Sequence, residues 1–356
     1  MDTMNREIIA LARESRGLTQ IELSELLGVK QGTISKIENG TLDVSEQVAE
    51  LLPSVLGYPK DLFYLDKRII KVEGHYRKKV SLSVKEVKKY VAKMTFTEWH
   101  INKLSDSLDL PRPNIPSWDI GVDGSAKDAA RFVREYWKIP RGRINDLASI
   151  LEDNGIVIAP LDLGDMDGLS TYSAEYNIPI LYVNRNRPAD RIRNTLAHEP
   201  CHYVCHFGKK IAPYKEERDI EQEANDFASE LLMPENEIRP QLVGLNMEKL
   251  GDLKRYWKVS MQSILVKARK MEAITENQSK YLWRQISYLG YRTKEPYEIQ
   301  PDNISLLKEL LEVHINDMGY SKEEVARLLH LTTDDFEHVY YGATVKPRFQ
   351  IRRNAA

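Results

Sequence analysis

The chain has 356 residues, enough for two or three domains, of which 42% are hydrophobic and 29% charged. A formal net charge of −2 excludes binding of nucleic acid through overall charge, and no run of about 18 apolar residues is present to cross a bilayer. The opening Met1-Asp2-Thr3-Met4-Asn5-Arg6 lacks the apolar core of a signal peptide, and the two cysteines, Cys201 and Cys205, exclude a disulfide framework, so the expectation is a soluble cytoplasmic protein without membrane partners.

Residues 5–65 predict a small helical unit. Ile8, Ile9, Leu11 and Ala12 form the apolar stripe of a first helix. Thr19 is placed to cap a second, with Leu23, Leu26 and Leu27 facing inward. Gly28 supplies a turn, and a third helix runs through Gln31-Gly32-Thr33-Ile34-Ser35-Lys36-Ile37-Glu38 to Asn39-Gly40. Two short helices joined by a tight glycine turn are the helix-turn-helix layout. The runs Leu18-Thr19-Gln20, Leu26-Leu27-Gly28-Val29 and Ile34-Ser35-Lys36-Ile37-Glu38-Asn39-Gly40 resemble the XRE (phage-repressor-like) helix-turn-helix family. The resemblance implies that Lys30, Gln31, Gly32, Thr33 and Lys36 face the major groove of an operator, with Gln20 and Asn39 near phosphates. The chemistry agrees, since Gln bonds adenine in two places and Lys reaches guanine.

Charge is distributed unevenly. Residues 1–66 carry six Lys/Arg against eleven Asp/Glu, a net of −5, whereas residues 67–90 carry nine against two, a net of +7. Phosphate attraction drives most DNA affinity, so the basic segment either supplies the missing phosphate contacts or is a solvated linker helix. Residues 72–127 read as a basic strand or helix, an amphipathic helix and a loop, because Pro111-Arg112-Pro113, Ile115-Pro116 and Gly121 to Gly124 break helical structure. Helical spacing resumes at Ala129, Phe132, Val133 and Trp137.

Beyond a helix at 145–153, three strands are predicted: Ile156 to Pro160, Leu169 to Tyr172, and Ile178 to Asn184. Pro179 cannot donate a ladder hydrogen bond, which predicts an edge position for the third strand. An edge strand beside a metal could hold an extended substrate by strand addition. The next helix, through 191–205, carries Leu196-Ala197-His198-Glu199-Pro200-Cys201-His202, which reads H-E-x-x-H. On a helix His198 and His202 share one face and can share one metal ion, with Glu199 beside them placed to take a proton from an activated water. A third ligand is needed, and Glu221 is the best candidate. Ala224, Phe227, Ala228, Leu231 and Leu232 give its helix a buried face, with Glu221 at the rim. Glu223 points about 160° away from it on a 3.6-residue wheel. Asn225, one turn on, could orient a ligand histidine. By spacing alone both glutamates could instead be surface charges; Asn225 and the Met233-Pro234 ending favour Glu221.

The runs Arg187-Pro188-Ala189-Asp190-Arg191, Leu196-Ala197-His198-Glu199 with His202, Glu221 with Ala224-Asn225 and Phe227-Ala228, and Leu231-Leu232-Met233-Pro234 resemble the ImmA/IrrE family of metallo-endopeptidases. Trp257 to Met261, Trp283 to Ser287 and Glu295-Pro296 are similar to the members fused behind an XRE domain. The resemblance implies His198, His202 and Glu221 as zinc ligands, Glu199 as general base, and the cutting of a transcriptional repressor as the task. The sequence departs from the family at Pro200-Cys201, where Leu-Gly is usual. A proline inside a helix costs about 3 kcal/mol and leaves the Leu196 carbonyl without its partner, so a kink between the two histidines is expected, and a kink that spread them would lower zinc affinity.

Cys201 and Cys205 lie four apart on one helix, as buried apolar residues or as thiols that compete for the metal or sense oxidation. His206 is read as a packing or ligand-supporting histidine rather than a ligand. Residues 248–290 predict helices. Gly319 to Leu331 has a helix-turn-helix cadence without a basic reading helix, which suggests packing or dimerisation; the tail from Arg348 is expected to be loose.

The fold expected is therefore α+β and mainly α: a helix-turn-helix domain at 1–66, a basic connector at 67–124, a zincin-like domain with a small sheet and helical extension at 125–300, and a C-terminal helical region at 301–356. The function expected is a DNA-binding regulator whose metallo-endopeptidase domain, holding zinc or alternatively manganese, cleaves a regulatory protein such as a repressor. The alternative is a non-catalytic regulator whose peptidase-like domain senses metal, peptide or redox state. Self-cleavage near 111–124 is a third reading. A homodimer on double-stranded DNA follows from general helix-turn-helix practice.

Overall fold

The computed structural model describes residues 3–66, 70–72, 82–108, 110–207 and 219–342. It is mainly helical with a three-stranded sheet. The first helices are α1 (Arg6–Ser15), α2 (Gln20–Leu27), α3 (Gln31–Glu38), α4 (Glu46–Leu56) and α5 (Val84–Ser105). Next come α6 (Ala126–Tyr136), α7 (Leu147–Asp153), strands β1 (Val157–Leu161), β2 (Gly168–Tyr172) and β3 (Pro179–Asn184), and α8 (Ala189–Cys201). There follow α9 (Ile220–Leu232), α10 (Glu235–Ile238), α11 (Met247–Trp257), α12 (Met261–Lys270) and α13 (Glu276–Tyr288). The chain closes with α14 (Leu306–Glu312), α15 (Lys322–Leu328) and α16 (Thr333–Tyr341). Two compact units result: one from the N-terminal helices, α5 and the C-terminal helices, the other from residues 110–306.

In the first unit, local sequence sets each helix end. Asn5 accepts the Glu7 and Ile8 amides to start α1. Thr19 and Glu22 form a capping box at α2, and Gly28 at φ 66° closes it in the left-handed region. Ser83 and Glu86 form a second capping box at α5. The apolar faces of α1 to α4 meet through Ile8, Ile9, Leu11, Leu23, Ile34, Ile37, Val48 and Leu52, all buried. Arg13 reaches across this core to Glu38, its Nε 2.6 Å from Oε1 and its Nη2 2.8 Å from Oε2. The segment with helix-turn-helix cadence, Gly319 to Leu331, contains α15, and with the following α16 it packs within this unit. Asp335 pairs with Arg16 at 2.5 Å, His330 stacks on Trp99 at 5.3 Å between ring centroids, and the Tyr340 hydroxyl lies 2.7 Å from His100 Nδ1.

Three of the described cations of the basic segment pair with acids of the same unit. Lys71 and Lys88 both pair with Glu14, at 2.7 and 3.6 Å, and Lys85 pairs with Glu22 at 2.7 Å. These cations offset acids of their own unit. Lys67, Arg68, Arg77, Lys78 and Lys79 lie outside the described residues, as does the tail from Arg348.

In the second unit the sheet order is β1-β3-β2, with β3 parallel to β1 and antiparallel to β2. The third strand is thus central, not at an edge. Pro179 is its first residue, where the missing N–H costs no interior ladder bond, and the strand is buried along its whole length. The edge position next to α8 belongs to β2. The stretch around the prolines, expected as a loop, is strapped down: Asn114 N donates to Asn154 O at 2.9 Å, Trp118 N to Val204 O at 2.9 Å, and Trp137 Nε1 to Asn114 O at 2.8 Å.

Buried ion pairs fix α8 against this framework. Arg193, 1% exposed, pairs with Asp302 and donates to the Ile144 carbonyl. Asp302 also accepts the first amide of α7 at 2.6 Å. Lys254, 3% exposed, pairs with Asp190 of α8 at 3.1 Å and with Glu295 at 2.9 Å, and Glu295 in turn accepts the Met261 and Gln262 amides that begin α12. Two buried cations thus tie one helix to three distant segments, which leaves α8 little freedom to tilt.

The first unit carries a pH signature. Burial, with a smaller contribution from nearby His330, pushes the His100 imidazole down to about 3. The folded form is then neutral, while the unfolded chain takes up a proton as the pH falls through about 6.5. Stability is therefore undiminished above about 6.5 and declines as the pH drops towards 3, by about 2 kcal/mol at pH 5. Urea unfolding at pH 7 and pH 5 should show this difference, and His100→Phe should remove it; a slope that survives the substitution contradicts the assignment.

Candidate metal centre and nucleic-acid interface

The metal-ligand candidates come from two packed helices, α8 and α9. Small residues line their contact: Ala197 and Cys201 on α8 and Ala224 and Ala228 on α9 are all buried in one core. Short side chains let the axes approach, which brings longer polar side chains at the rim together. Asp219 caps α9 by accepting the Glu221 and Gln222 amides, at 3.2 and 3.1 Å, and so fixes the turn that carries Glu221.

Pro200 sits inside α8, and α-helical geometry ends one residue later. A π turn, His202–His206, follows, with the Phe207 amide donating to the His202 carbonyl at 2.8 Å. Such wider turns occur where the regular ladder is interrupted and are frequent at functional sites. The interruption at Pro200 does not spread the histidines. Their ring centroids are 5.4 Å apart, and both Nε2 atoms converge on one carboxylate. His198 Nε2 is 3.5 Å from Glu221 Oε2 and His202 Nε2 is 3.9 Å from Glu221 Oε1. One ligand atom from each of the three residues lies within 4.8 Å of the others.

The far side of each imidazole decides which nitrogen is offered. His198 Nδ1 lies 3.1 Å from Asn225 Oδ1, an atom that can only accept, so Nδ1 carries the proton and Nε2 keeps its lone pair. His202 Nδ1 lies 2.9 Å from His206 Nδ1, and His206 Nε2 lies 3.0 Å from Glu223 Oε2. Burial pushes the His202 imidazole down to about 4, which keeps it neutral near pH 7. Glu199 is 3% exposed, and its Oε2 accepts the Ser170 hydroxyl of β2 at 2.8 Å. Tyr203 ties this strand to β3: its hydroxyl donates to the Ile180 carbonyl of β3 at 2.6 Å and takes the Thr171 amide of β2 at 3.2 Å.

This donor set fits a divalent metal. Two imidazole nitrogens, each braced from behind, and a carboxylate suit zinc and are also acceptable to manganese. The thiols do not enter it. Cys201 and Cys205 are buried, and burial pushes the Cys201 thiol well up, so it remains protonated and packs as an apolar side chain. Ser170 and Glu223 were not identified from the sequence. Ser170 gives no sequence signal, because only strand pairing brings it to Glu199. The helical wheel separates Glu223 from Glu221, yet Glu223 meets the same histidine series through His206.

At the other candidate site, α3 buries Ile34 and Ile37 and exposes Gln31, Gly32 and Lys36, flanked by exposed Lys30 and Asn39; Thr33 is half-buried. Gln20 is not simply a free surface group. Its Nε2 donates to Glu38 Oε2 at 2.8 Å, and its Oε1 accepts Gln31 Nε2 at 2.9 Å. The buried Arg13–Glu38 pair thereby extends through Gln20 to the first residue of the exposed helix and sets where Gln31 points.

Comparison with known families agrees with both regions. Residues 151–269 match the family model of the IrrE N-terminal-like domain, Peptidase M78, and residues 9–63 match a helix-turn-helix family model. No curated protein matches the chain. The chain thus carries a helix-turn-helix stretch followed by a stretch similar to the IrrE N-terminal-like domain, matching the expected fusion.

Arg13→Ala would strand the Glu38 carboxylate in a buried place and release Gln20. Breaking such a pair from one side costs about 3–5 kcal/mol. Chemical denaturation of the variant should show a loss of that order together with weakened operator binding. A loss below about 1 kcal/mol, the range of an exposed pair, would contradict this reading.

Proposed function

We propose that the protein is a DNA-binding transcriptional regulator whose second unit is a metal-dependent endopeptidase that cuts a regulatory protein such as a repressor. The observation that carries this reading is the convergence of His198 Nε2, His202 Nε2 and Glu221 beside a buried Glu199. His198, His202 and Glu221 would hold zinc, or manganese as the alternative ion, and the metal would supply Lewis-acid activation of water and of a peptide carbonyl.

The chain's own residues then do the proton work. Ser170 holds Glu199 in place by donating to its Oε2, and Glu199 would take a proton from the attacking water and pass it to the leaving amine. Asn225 orients His198 through its Nδ1–H. The β2 edge, rather than β3, is the place where an extended substrate segment would add as a strand, directly beside Glu199. In the first unit, Gln31 would read adenine and Lys30 and Lys36 would meet phosphate or guanine, with Gly32, Thr33 and Asn39 completing the contact. Two copies on a palindromic operator are the natural arrangement for this motif, and an operator as target places the protein in the cytoplasm.

A second reading is favoured by Pro200. In it the peptidase-like unit binds metal or peptide without cutting and changes DNA affinity instead. Glu199→Gln separates the two. For an enzyme, the substitution leaves bound metal unchanged and lowers metal-dependent cleavage of a candidate repressor by about 10²-fold or more. Cleavage that survives overturns the role of Glu199. A metal-dependent change in operator binding with no cleavage by the unsubstituted protein favours the sensor.

A further inference from the structure

The polar chain behind His202 is longer than a metal ligand needs, and its direction can be deduced. For His202 to offer the Nε2 lone pair towards Glu221, its ring proton must sit on Nδ1. That N–H lies 2.9 Å from His206 Nδ1, which must then accept. The His206 proton is consequently on Nε2, 3.0 Å from Glu223 Oε2, a carboxylate that accepts it. Every proton in the series is assigned once the first is. His206 is 5% exposed, and its two contacts use both ring nitrogens.

We infer that His206 and Glu223 are positioning residues of the metal centre, an imidazole–carboxylate relay that fixes the tautomer and ring orientation of His202. The inference rests on the reading of His198, His202 and Glu221 as metal ligands. Its geometry explains two features otherwise without a role. The π turn His202–His206 carries His206 over the back of His202, although a regular helix was interrupted at Pro200 to make it. Helix α9 provides two glutamates two residues apart, which cannot face the same point, and the relay gives each an end of the site: Glu221 at the ligand side, Glu223 behind. A carboxylate behind an imidazole also raises the basicity of the ligating nitrogen, and the intervening ring transmits this effect from Glu223 to His202.

The test uses the full chain and metal alone. Zinc affinity is measured by competition with a chromogenic chelator, and the visible spectrum of the cobalt(II) form is recorded at saturation, for the unsubstituted protein, Glu223→Leu, Glu223→Gln and His206→Leu. Glu223→Leu and His206→Leu should lose about 10–100-fold in zinc affinity and alter the cobalt bands. Glu223→Gln should recover most of the affinity, because its amide oxygen still accepts from His206 Nε2. A role confined to packing would lower thermal stability without moving the cobalt spectrum. Glu223 is partly exposed near the start of α9, so Glu223→Leu carries the test even where His206→Leu fails to fold. Unchanged affinity and spectrum in Glu223→Leu overturn the relay and leave the metal site standing. Equal losses in the Gln and Leu variants overturn the hydrogen-bond role in favour of charge. No uptake of zinc or cobalt by the unsubstituted protein removes the metal reading and the relay with it.

Discussion

Two imidazoles and two carboxylates packed into one half-dry crevice would be costly if any polar atom there went unmatched, and this constraint organises the second unit. His198 and His202 can present Nε2 to a common point only because Asn225 and His206 take up the opposite nitrogens. Asn225, Glu221 and Glu223 all come from α9, so the helix that supplies one ligand also orients the other two. Close approach of α8 and α9 through Ala197, Ala224 and Ala228 is what makes this possible. Position is then enforced from further away. The buried Arg193–Asp302 and Lys254–Asp190–Glu295 pairs tie the body of α8 to segments more than a hundred and more than thirty residues downstream. A proline that would unsettle an isolated helix is tolerated in one held at so many points.

The first unit uses the same device for a different purpose. Arg13 and Glu38 bury their charges against each other, and Gln20 and Gln31 extend the network to the surface. A buried pair of this kind adds little net stability but selects one arrangement, here the angle between α3 and its supporting helices. Acidic residues in this unit meet cations from α5 and the segment before it, and the α3 face exposes Lys30 and Lys36.

Features encoded within a few residues were legible in the sequence. The capping box of Thr19 and Glu22, the left-handed Gly28 and the H-E-x-x-H spacing each depend on local geometry, and helices appear where they were expected. Features that depend on pairing were not. Pro179 suggested an edge because a proline cannot donate, yet as a first residue it loses nothing and β3 is central. Pro200 suggested a kink that could spread the histidines because the expectation assumed an unsupported helix. Ser170 and Glu223 acquire their partners only through the β2–α8 and α8–α9 contacts, which no spacing in the chain reveals. The C-terminal helices α15 and α16 share the cadence of a DNA-reading motif, but Phe336 and Leu329 direct that pattern into the core of the first unit.

The central claim is that His198, His202 and Glu221 hold a metal ion despite Pro200. Elemental mass spectrometry of the purified, untagged protein tests it most directly. The account predicts close to one zinc or manganese ion per chain, falling to background in His198→Ala. A protein that retains no metal after zinc loading and removal of the excess, or metal that persists in His198→Ala, would contradict it.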